Sequence, residues 1–212
     1  MHKTITKEQL KWKTIEAIIM DIIVAFIGII IIMLAIKLLF GKQIKEAINY
    51  ADMISINTNN KIIKNIKFDH EKQTITSYPE YGTRYGNIKI ESLDINLPLY
   101  YGDKLSYLRY GVGQSSGAYF PGEGGSIICM GHNNKNYLYD LPKIKNNDII
   151  EINTSYGNFK YQVYKTEIIN MYDVEKLKVQ NEEEILMLYT CYPVNTLGDK
   201  KDRFVTFAKR VN

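Results

Sequence analysis

Cysteine is scarce in this 212-residue chain, which contains only Cys129 and Cys191. Two cysteines are too few for the disulfide framework that stabilises many small secreted domains, so the fold must depend on its apolar core. Both thiols could be buried as small apolar side chains, or they could pair with each other. We expect burial for Cys129, because the apolar run 127–130 is typical of a buried strand. Cys191 has polar neighbours and needs another explanation.

Arginine is scarce as well. Four of the 27 basic residues are arginines, and the rest are lysines spread along the whole chain, which gives a formal net charge of +4. Scattered lysines are typical of a solvated surface, whereas nucleic-acid binding requires a clustered basic face. We therefore expect no nucleic-acid partner, and a non-specific attraction to anionic lipid or wall polymer fits the charge better.

A long apolar segment lies near the N-terminus, where residues 22–40 are interrupted only by Lys37. A helix of this length can cross a hydrocarbon layer ~30 Å thick. A cleaved signal peptide is the competing interpretation, but the segment is longer than the apolar part of a signal peptide and no Ala-x-Ala-like site follows it. We therefore predict a tail over residues 1–16 and a membrane anchor over 17–40. The lysines of the tail favour a cytoplasmic N-terminus, although Lys42 and Lys45 partly balance them.

The remaining chain changes character near Gly86. Residues 41–86 contain a possible amphipathic helix followed by a polar stretch without a period, so we predict a helical extension and a stalk. Residues 87–212 alternate short β-prone runs with turn residues, which predicts a mainly β barrel or sandwich. The predicted strands are 87–90, 96–100, 126–130, 149–153, 159–170, 185–191 and 204–209, and short helices are predicted at 103–110 and 136–141.

Three chemically distinctive residues lie where predicted strands begin or end. Cys191 ends the run 185–191, His132 follows the run 126–130 after a glycine, and Arg203 opens the last run. A cysteine attacks a carbonyl as its thiolate and therefore needs a base, for which a histidine is suited. The oxyanion that forms needs a hydrogen-bond donor, and an arginine is always charged. A lone histidine after a glycine is usually structural, but the three residues together indicate a thiol active site.

The segment Met187-Leu188-Tyr189-Thr190-Cys191 resembles the Thr-Leu-x-Thr-Cys signature of sortases, the transpeptidases that fix proteins to Gram-positive cell surfaces. Gly131-His132 and Arg203 resemble their catalytic histidine and arginine, in the same order along the chain. The resemblance extends from about Gly86 to the C-terminus and implies an eight-stranded barrel outside the cell. One departure is Met187, which stands where the signature usually has threonine. Tyr192-Pro193 after the cysteine is similar to class D members, and class A is the next nearest.

The resemblance also implies a reaction. Cys191 would cut a Leu-Pro-x-Thr-Gly-like sorting signal of a surface protein after Thr, with His132 as base and Arg203 as oxyanion donor or peptide clamp. An amine from a cell-wall precursor or a pilin would then resolve the acyl-enzyme. Sortases read their signal with the loop corresponding to 170–182. The candidate substrate-binding residues are therefore Met171, Tyr172 and Val174 of this loop, together with Thr190 beside the cysteine.

Some subclass features are not expected. The chain contains no Asp-Pro, the motif of the class C lid, so we predict no lid of that kind. In calcium-stimulated class A sortases, loop acids bind the ion. Here Asp173, Glu175 and the acidic run 182–184 are more simply a solvated loop, so we expect no required metal, although calcium stimulation stays open.

Two other functions remain open at this stage. A cysteine peptidase or hydrolase would use the same Cys191 and His132, but papain-like enzymes place the cysteine before the histidine. A non-catalytic surface-binding β-domain would explain an anchor and a stalk, but it gives Cys191, His132 and Arg203 no role.

Overall fold

A computed structural model of the chain describes residues 7–54, 66–194, 196 and 198–211. The chain divides into two compact units, residues 1–50 and 51–212. Helix α1 (Lys7–Ile54) accounts for the described part of the first unit. Within it, Ile15–Gly41 is apolar and long enough to cross a membrane, with a mean hydropathy of 3.1. Parts of the predicted tail and stalk, residues 1–6 and 55–65, lie outside the described residues.

The described residues of the second unit form ten strands. They are β1 (Lys67–Asp69), β2 (Thr74–Ser77), β3 (Arg84–Ile90), β4 (Ile95–Tyr101), β5 (Val112–Gln114), β6 (Ser126–Gly131), β7 (Ile149–Thr154), β8 (Asn158–Asn170), β9 (Ile185–Tyr192) and β10 (Asp202–Val211). Strands β1 and β2 form a separate antiparallel hairpin. The other eight close into a barrel in the order β10-β8-β7-β3-β4-β5-β6-β9, which confirms the predicted eight-stranded barrel.

Three parts of this architecture differ from the sequence-based expectation. The short strand β5 was not predicted; it pairs parallel with β4 and antiparallel with β6, so it closes the barrel between them. The hairpin of β1 and β2 occupies part of the predicted stalk. Of the two predicted helices, one is the single turn α2 (Leu105–Leu108), and the other is replaced by turns that lead to a 3-10 helix, Leu141–Lys143.

The barrel interior is filled by the alternate residues of its strands, because successive side chains of a strand point to opposite faces. On β9, Leu186 and Leu188 are fully buried in this core. Cys129 of β6 is also fully buried there, as predicted. Burial raises the pKa of the Cys129 thiol far above its ordinary value, so this thiol stays protonated and unreactive.

Glu184 connects the turn 121–125 to the barrel, although its acidic run predicted a solvated residue. Its carboxylate accepts hydrogen bonds from the backbone amides of Gly122 (3.0 Å) and Gly124 (3.3 Å) and from the Tyr161 hydroxyl (2.7 Å). Arg210 of β10 donates to both carboxylate oxygens at 3.0 and 3.1 Å. The Glu184 side chain is only 9% exposed, so these partners replace water around its charge.

Replacing Glu184 by glutamine is therefore expected to lower the free energy of unfolding by about 1.5 to 3 kcal/mol, because it weakens several hydrogen bonds to a charged acceptor. Urea unfolding followed by circular dichroism measures the change. The matched control is Glu182→Gln in the same acidic run, whose side chain is exposed. Equal stability losses in the two variants would contradict this role of Glu184.

Candidate active site

Strands β6, β9 and β10 are neighbours in the barrel, and their register brings the three predicted reactive residues together. Cys191 is paired with Arg203 across β9 and β10. Gly131 is paired with Thr190 across the parallel strands β6 and β9, so His132, one residue further, lies beside the level of Cys191. His132, Cys191 and Arg203 therefore form a row at one end of three adjacent strands, which we call the strand-end row.

The outer face of these strands continues below this row with apolar side chains. The next level pairs Met130, Tyr189 and Val205, and the level after that pairs Ile128, Met187 and Phe207. Ile128, Met187, Val205 and Phe207 belong to a second apolar cluster, against which Tyr189 and Leu177 pack. The strand-end row thus borders an apolar outer surface rather than open solvent.

Thr190 faces the barrel interior and is 1% exposed. Its hydroxyl donates a 2.8 Å hydrogen bond to the carbonyl oxygen of Gly131 on the neighbouring strand. This bond fixes the register of β6 against β9, and through it the position of His132 relative to Cys191. The predicted contact between Thr190 and a substrate stays a prediction, and the observed contact is internal.

The two thiols lie in different environments. Cys191 is partly exposed at the end of β9, whereas Cys129 is buried, and both are free. The alternative that they pair with each other is therefore wrong for this structure.

His132 is held by the turn that follows β6. Its carbonyl oxygen accepts a 2.9 Å hydrogen bond from the Leu138 amide, and its ring packs edge-on against Tyr137 with centroids 5.8 Å apart. Tyr137 is fixed in turn by its hydroxyl, which donates to the carbonyl oxygen of Arg109. Burial lowers the pKa of His132 below its ordinary value of 6.5, so its imidazole is mostly neutral at pH 7 and able to accept a proton.

We expect the imidazole of His132 to titrate below pH 6.5 in the Cys191→Ala variant, where no neighbouring thiol interferes. The physical reason is the cost of charging a ring that burial has removed from water. The proton then binds more tightly to the unfolded chain, so folding stability falls as the pH drops below 6.5. An NMR titration measures the midpoint, and the same histidine in urea is the reference. A folded midpoint at or above the reference would contradict this effect of burial.

Arg203 is positioned by the loop that precedes β10. Its Nη1 donates to the carbonyl oxygens of Lys200 (2.8 Å) and Asp202 (2.9 Å). Among the residues that the structure describes, its Nε and Nη2 have no hydrogen-bond acceptor. A side chain anchored by one nitrogen leaves the other N–H groups available to an incoming oxygen.

Arg203 lines a cavity of about 290 Å³ on the outer face of the barrel. Its floor and walls include Tyr189 of β9 and residues of the loop between β8 and β9. The complete lining is Ser115, Ile128, Ile169, Asn170, Met171, Asp173, Leu177, Tyr189 and Arg203. The cavity is large enough for a few residues of an extended peptide.

The structure separates the predicted substrate-binding residues. Met171 lines the cavity, whereas Tyr172 is 73% exposed and lies outside its lining. Val174 begins a 3-10 helix, Val174–Leu177, and its side chain lies outside the described part of the chain. Sequence reasoning missed Tyr189, although a count of two residues back from Cys191 along β9 places it on the same face.

Glu167, an acid of the strand that leads into this loop, is engaged in ion pairs. Glu167 of β8 forms ion pairs with Lys165 (2.6 Å) and with Lys176 of the loop, and both lower the pKa of its carboxyl. Among the described residues, no group of three or more acids, histidines and cysteines lies together as metal ligands would. The expectation that no metal is required stays a prediction.

Comparison with known proteins places the barrel in a family. A family model described as a sortase domain matches residues 88–211. Sortase D of Bacillus subtilis (strain 168) is 32% identical over 143 residues, which are 68% of this chain and 72% of that protein. Among solved structures, a sortase D5 transpeptidase of Clostridium perfringens has 24% identity and a TM-score of 0.58, over 64% of this chain and 83% of that one. The structure of Clostridium perfringens sortase C with the C-terminal cell wall sorting motif has 22% identity and a TM-score of 0.57, over 77% of this chain and 88% of that one.

Proposed function

Because the chain belongs to the sortase family, whose members are cysteine transpeptidases, we propose that it cleaves a Leu-Pro-x-Thr-Gly-like sorting signal between Thr and Gly. The acyl part is then transferred to an amine. The observation that carries this proposal is the strand-end row, which places a partly exposed thiol between a neutral histidine and an anchored arginine. The 32% identity to a sortase D supports the class D likeness of the sequence.

In the first half-reaction, His132 takes the thiol proton and the sulfur of Cys191 bonds to the carbonyl carbon of the threonine. The tetrahedral intermediate collapses when the C–N bond breaks, and His132 returns the proton to the departing amine of glycine. Free N–H groups of Arg203 donate to the oxygen that becomes negative, or to a carbonyl of the bound peptide. The product is a thioester on Cys191.

In the second half-reaction, an acceptor amine attacks the thioester carbonyl. His132 takes a proton from this amine and passes it to the sulfur of Cys191 as the C–S bond breaks, which restores the neutral histidine and the thiol. We infer that the acceptor is a cell-wall precursor or a pilin amine, and that the acyl donors are surface proteins with sorting signals. The structure of the related sortase C with the C-terminal cell wall sorting motif supports this substrate class.

The cavity beside Arg203 is the proposed binding place of the sorting signal, with Met171 in its wall. Tyr172 and Val174 follow in the same loop and remain the other proposed peptide contacts there. Thr190 would support substrate binding indirectly from inside the barrel, because its hydrogen bond to Gly131 holds β6 and β9 in register and so positions His132 beside Cys191. No metal is needed for this chemistry.

The anchor is the helix segment Ile15–Gly41, which fits a single membrane span. We propose that the N-terminus is cytoplasmic and the barrel extracellular, because the substrates of the proposed reaction are exported. Cysteine accessibility to an impermeant reagent in intact cells tests this orientation, since Cys191 is partly exposed in the barrel.

The experiment that tests the function uses the full chain in detergent with a quenched fluorescent Leu-Pro-x-Thr-Gly peptide library, with and without an added amine. Mass spectrometry should find cleavage after Thr and a product that contains the amine. Cleavage without amine capture would favour a hydrolase, and no cleavage of any peptide would overturn the proposed substrate.

A further inference from the structure

Tyr189 lies at the floor of the cavity, one level below the strand-end row. It is two residues before Cys191 on β9, so the two side chains share a face with Cα atoms about 7 Å apart. It lines the same cavity as Arg203. Tyr189 is therefore within reach of a peptide whose carbonyl carbon meets the sulfur of Cys191.

The hydroxyl of Tyr189 has a weak partner. It donates to the thioether sulfur of Met130, which lies opposite on β6, at 3.3 Å. A thioether is a poor acceptor compared with a carbonyl oxygen. Burial raises the pKa of Tyr189 to about 12, with the charge of Arg203 acting in the opposite direction, so the hydroxyl keeps its proton and remains a donor at any working pH.

We propose that Tyr189 is a substrate-binding residue whose hydroxyl leaves the Met130 sulfur and donates to a backbone carbonyl of the sorting peptide upstream of the scissile bond. This inference rests on the proposed transpeptidation. An extended peptide exposes carbonyl groups along its length, and the exchange replaces a weak acceptor with a strong one in a cavity lined largely by apolar side chains.

The acyl side of the peptide is the side that needs this contact. It stays on Cys191 through both half-reactions, whereas the departing amine must leave and the acceptor must enter in its place. A donor that holds the acyl part in the Michaelis complex and in the thioester binds both states equally. Its loss therefore raises KM more than it lowers kcat.

The first test compares Tyr189→Phe with the wild-type full chain in detergent, on a peptide that the wild type cleaves. We expect KM to rise about 3- to 10-fold, which corresponds to one hydrogen bond, with kcat within about twofold of the wild type. The matched control is Tyr164→Phe on β8, an exposed tyrosine outside the cavity lining, which should change neither constant.

Met130→Leu separates substrate binding from simple packing. If the hydroxyl of Tyr189 matters only through its contact with Met130, removing the sulfur should raise KM as Tyr189→Phe does. If the hydroxyl binds the peptide, removing its resting acceptor should leave KM unchanged or lower it. The second outcome supports the inference and the first overturns it.

Peptides with single ester bonds in place of amides locate the carbonyl. An ester carbonyl is a weaker acceptor, so one upstream ester should raise KM in the wild type and have no further effect in Tyr189→Phe. Equal ester effects in both proteins, or an unchanged KM in Tyr189→Phe, would overturn the proposed role of Tyr189. These results would leave the proposed function intact, because the wild type would still turn over the peptide. Absence of wild-type turnover would overturn the proposed function and this inference with it.

Discussion

Replacing Cys191 by alanine is expected to lower kcat by at least about four orders of magnitude, because it removes the atom that forms the thioester. Thr190, the neighbour of Cys191 on β9, cannot act as a substitute nucleophile, since it faces the interior and its hydroxyl is bonded to Gly131. Peptide cleavage and amine transfer should both disappear, because both pass through the same intermediate. Mass-spectrometric detection of the two products measures the loss.

Cys129→Ala is the matched control for this variant. Cys129 is fully buried in the barrel core, where its thiol contributes packing and no chemistry. The control should lose stability by about 1 kcal/mol and retain its kcat. A thiol reagent should modify the folded wild type only at Cys191. Residual turnover of Cys191→Ala equal to that of Cys129→Ala would contradict a thiol mechanism.

Arg203→Ala is expected to lower kcat by about 10²- to 10³-fold, the effect of removing one preorganised oxyanion donor. The side chain is held in place by the carbonyl oxygens of Lys200 and Asp202, so its free N–H groups need no reorganisation when charge develops. Arg203→Lys should recover only part of the loss, because an ammonium group cannot bind the loop and the oxyanion with the same fork geometry.

Lys201→Ala is the control, since it also removes one positive charge. Lys201 lies two residues before Arg203, and its side chain is exposed and does not line the cavity. It should leave kcat within about twofold of the wild type, because an exposed charge is screened by salt. Initial rates at saturating peptide measure all three variants. Equal losses for Arg203→Ala and Lys201→Ala would show that general electrostatic attraction, rather than a directed donor, explains the effect.

The sequence predicted the strand-end row because each of its members lies next to a run with a clear β pattern. The same reasoning predicted the barrel strands to within a few residues at most boundaries. It missed β5, since three residues that contain a glycine carry no measurable alternation, and their pairing with β4 and β6 is a tertiary contact. The hairpin of β1 and β2 was missed for a similar reason, as its strands are three and four residues long.

Glu184 is the side chain whose environment the sequence misjudged, because its partners are distant in sequence. Glu184 lies in an acidic run that is typical of a solvated surface, but its partner Tyr161 is 23 residues away and Arg210 is 26 away. The contact between Tyr172 and a substrate was predicted from the position of this residue in the loop and stays a prediction, and its side chain is exposed. Tyr189 of β9 reaches the cavity because a strand fixes the direction of its side chains more firmly than a loop does.

The most direct test of the account is to trap the covalent intermediate. The full chain would be mixed with a Leu-Pro-x-Thr-Gly peptide without an acceptor amine, quenched in acid within one turnover, and measured as intact protein and as digested peptides. The account predicts a mass increase equal to the peptide up to its threonine, located on Cys191 and absent from Cys191→Ala. Cleavage of the peptide without any adduct on Cys191, or an adduct on another residue, would contradict it.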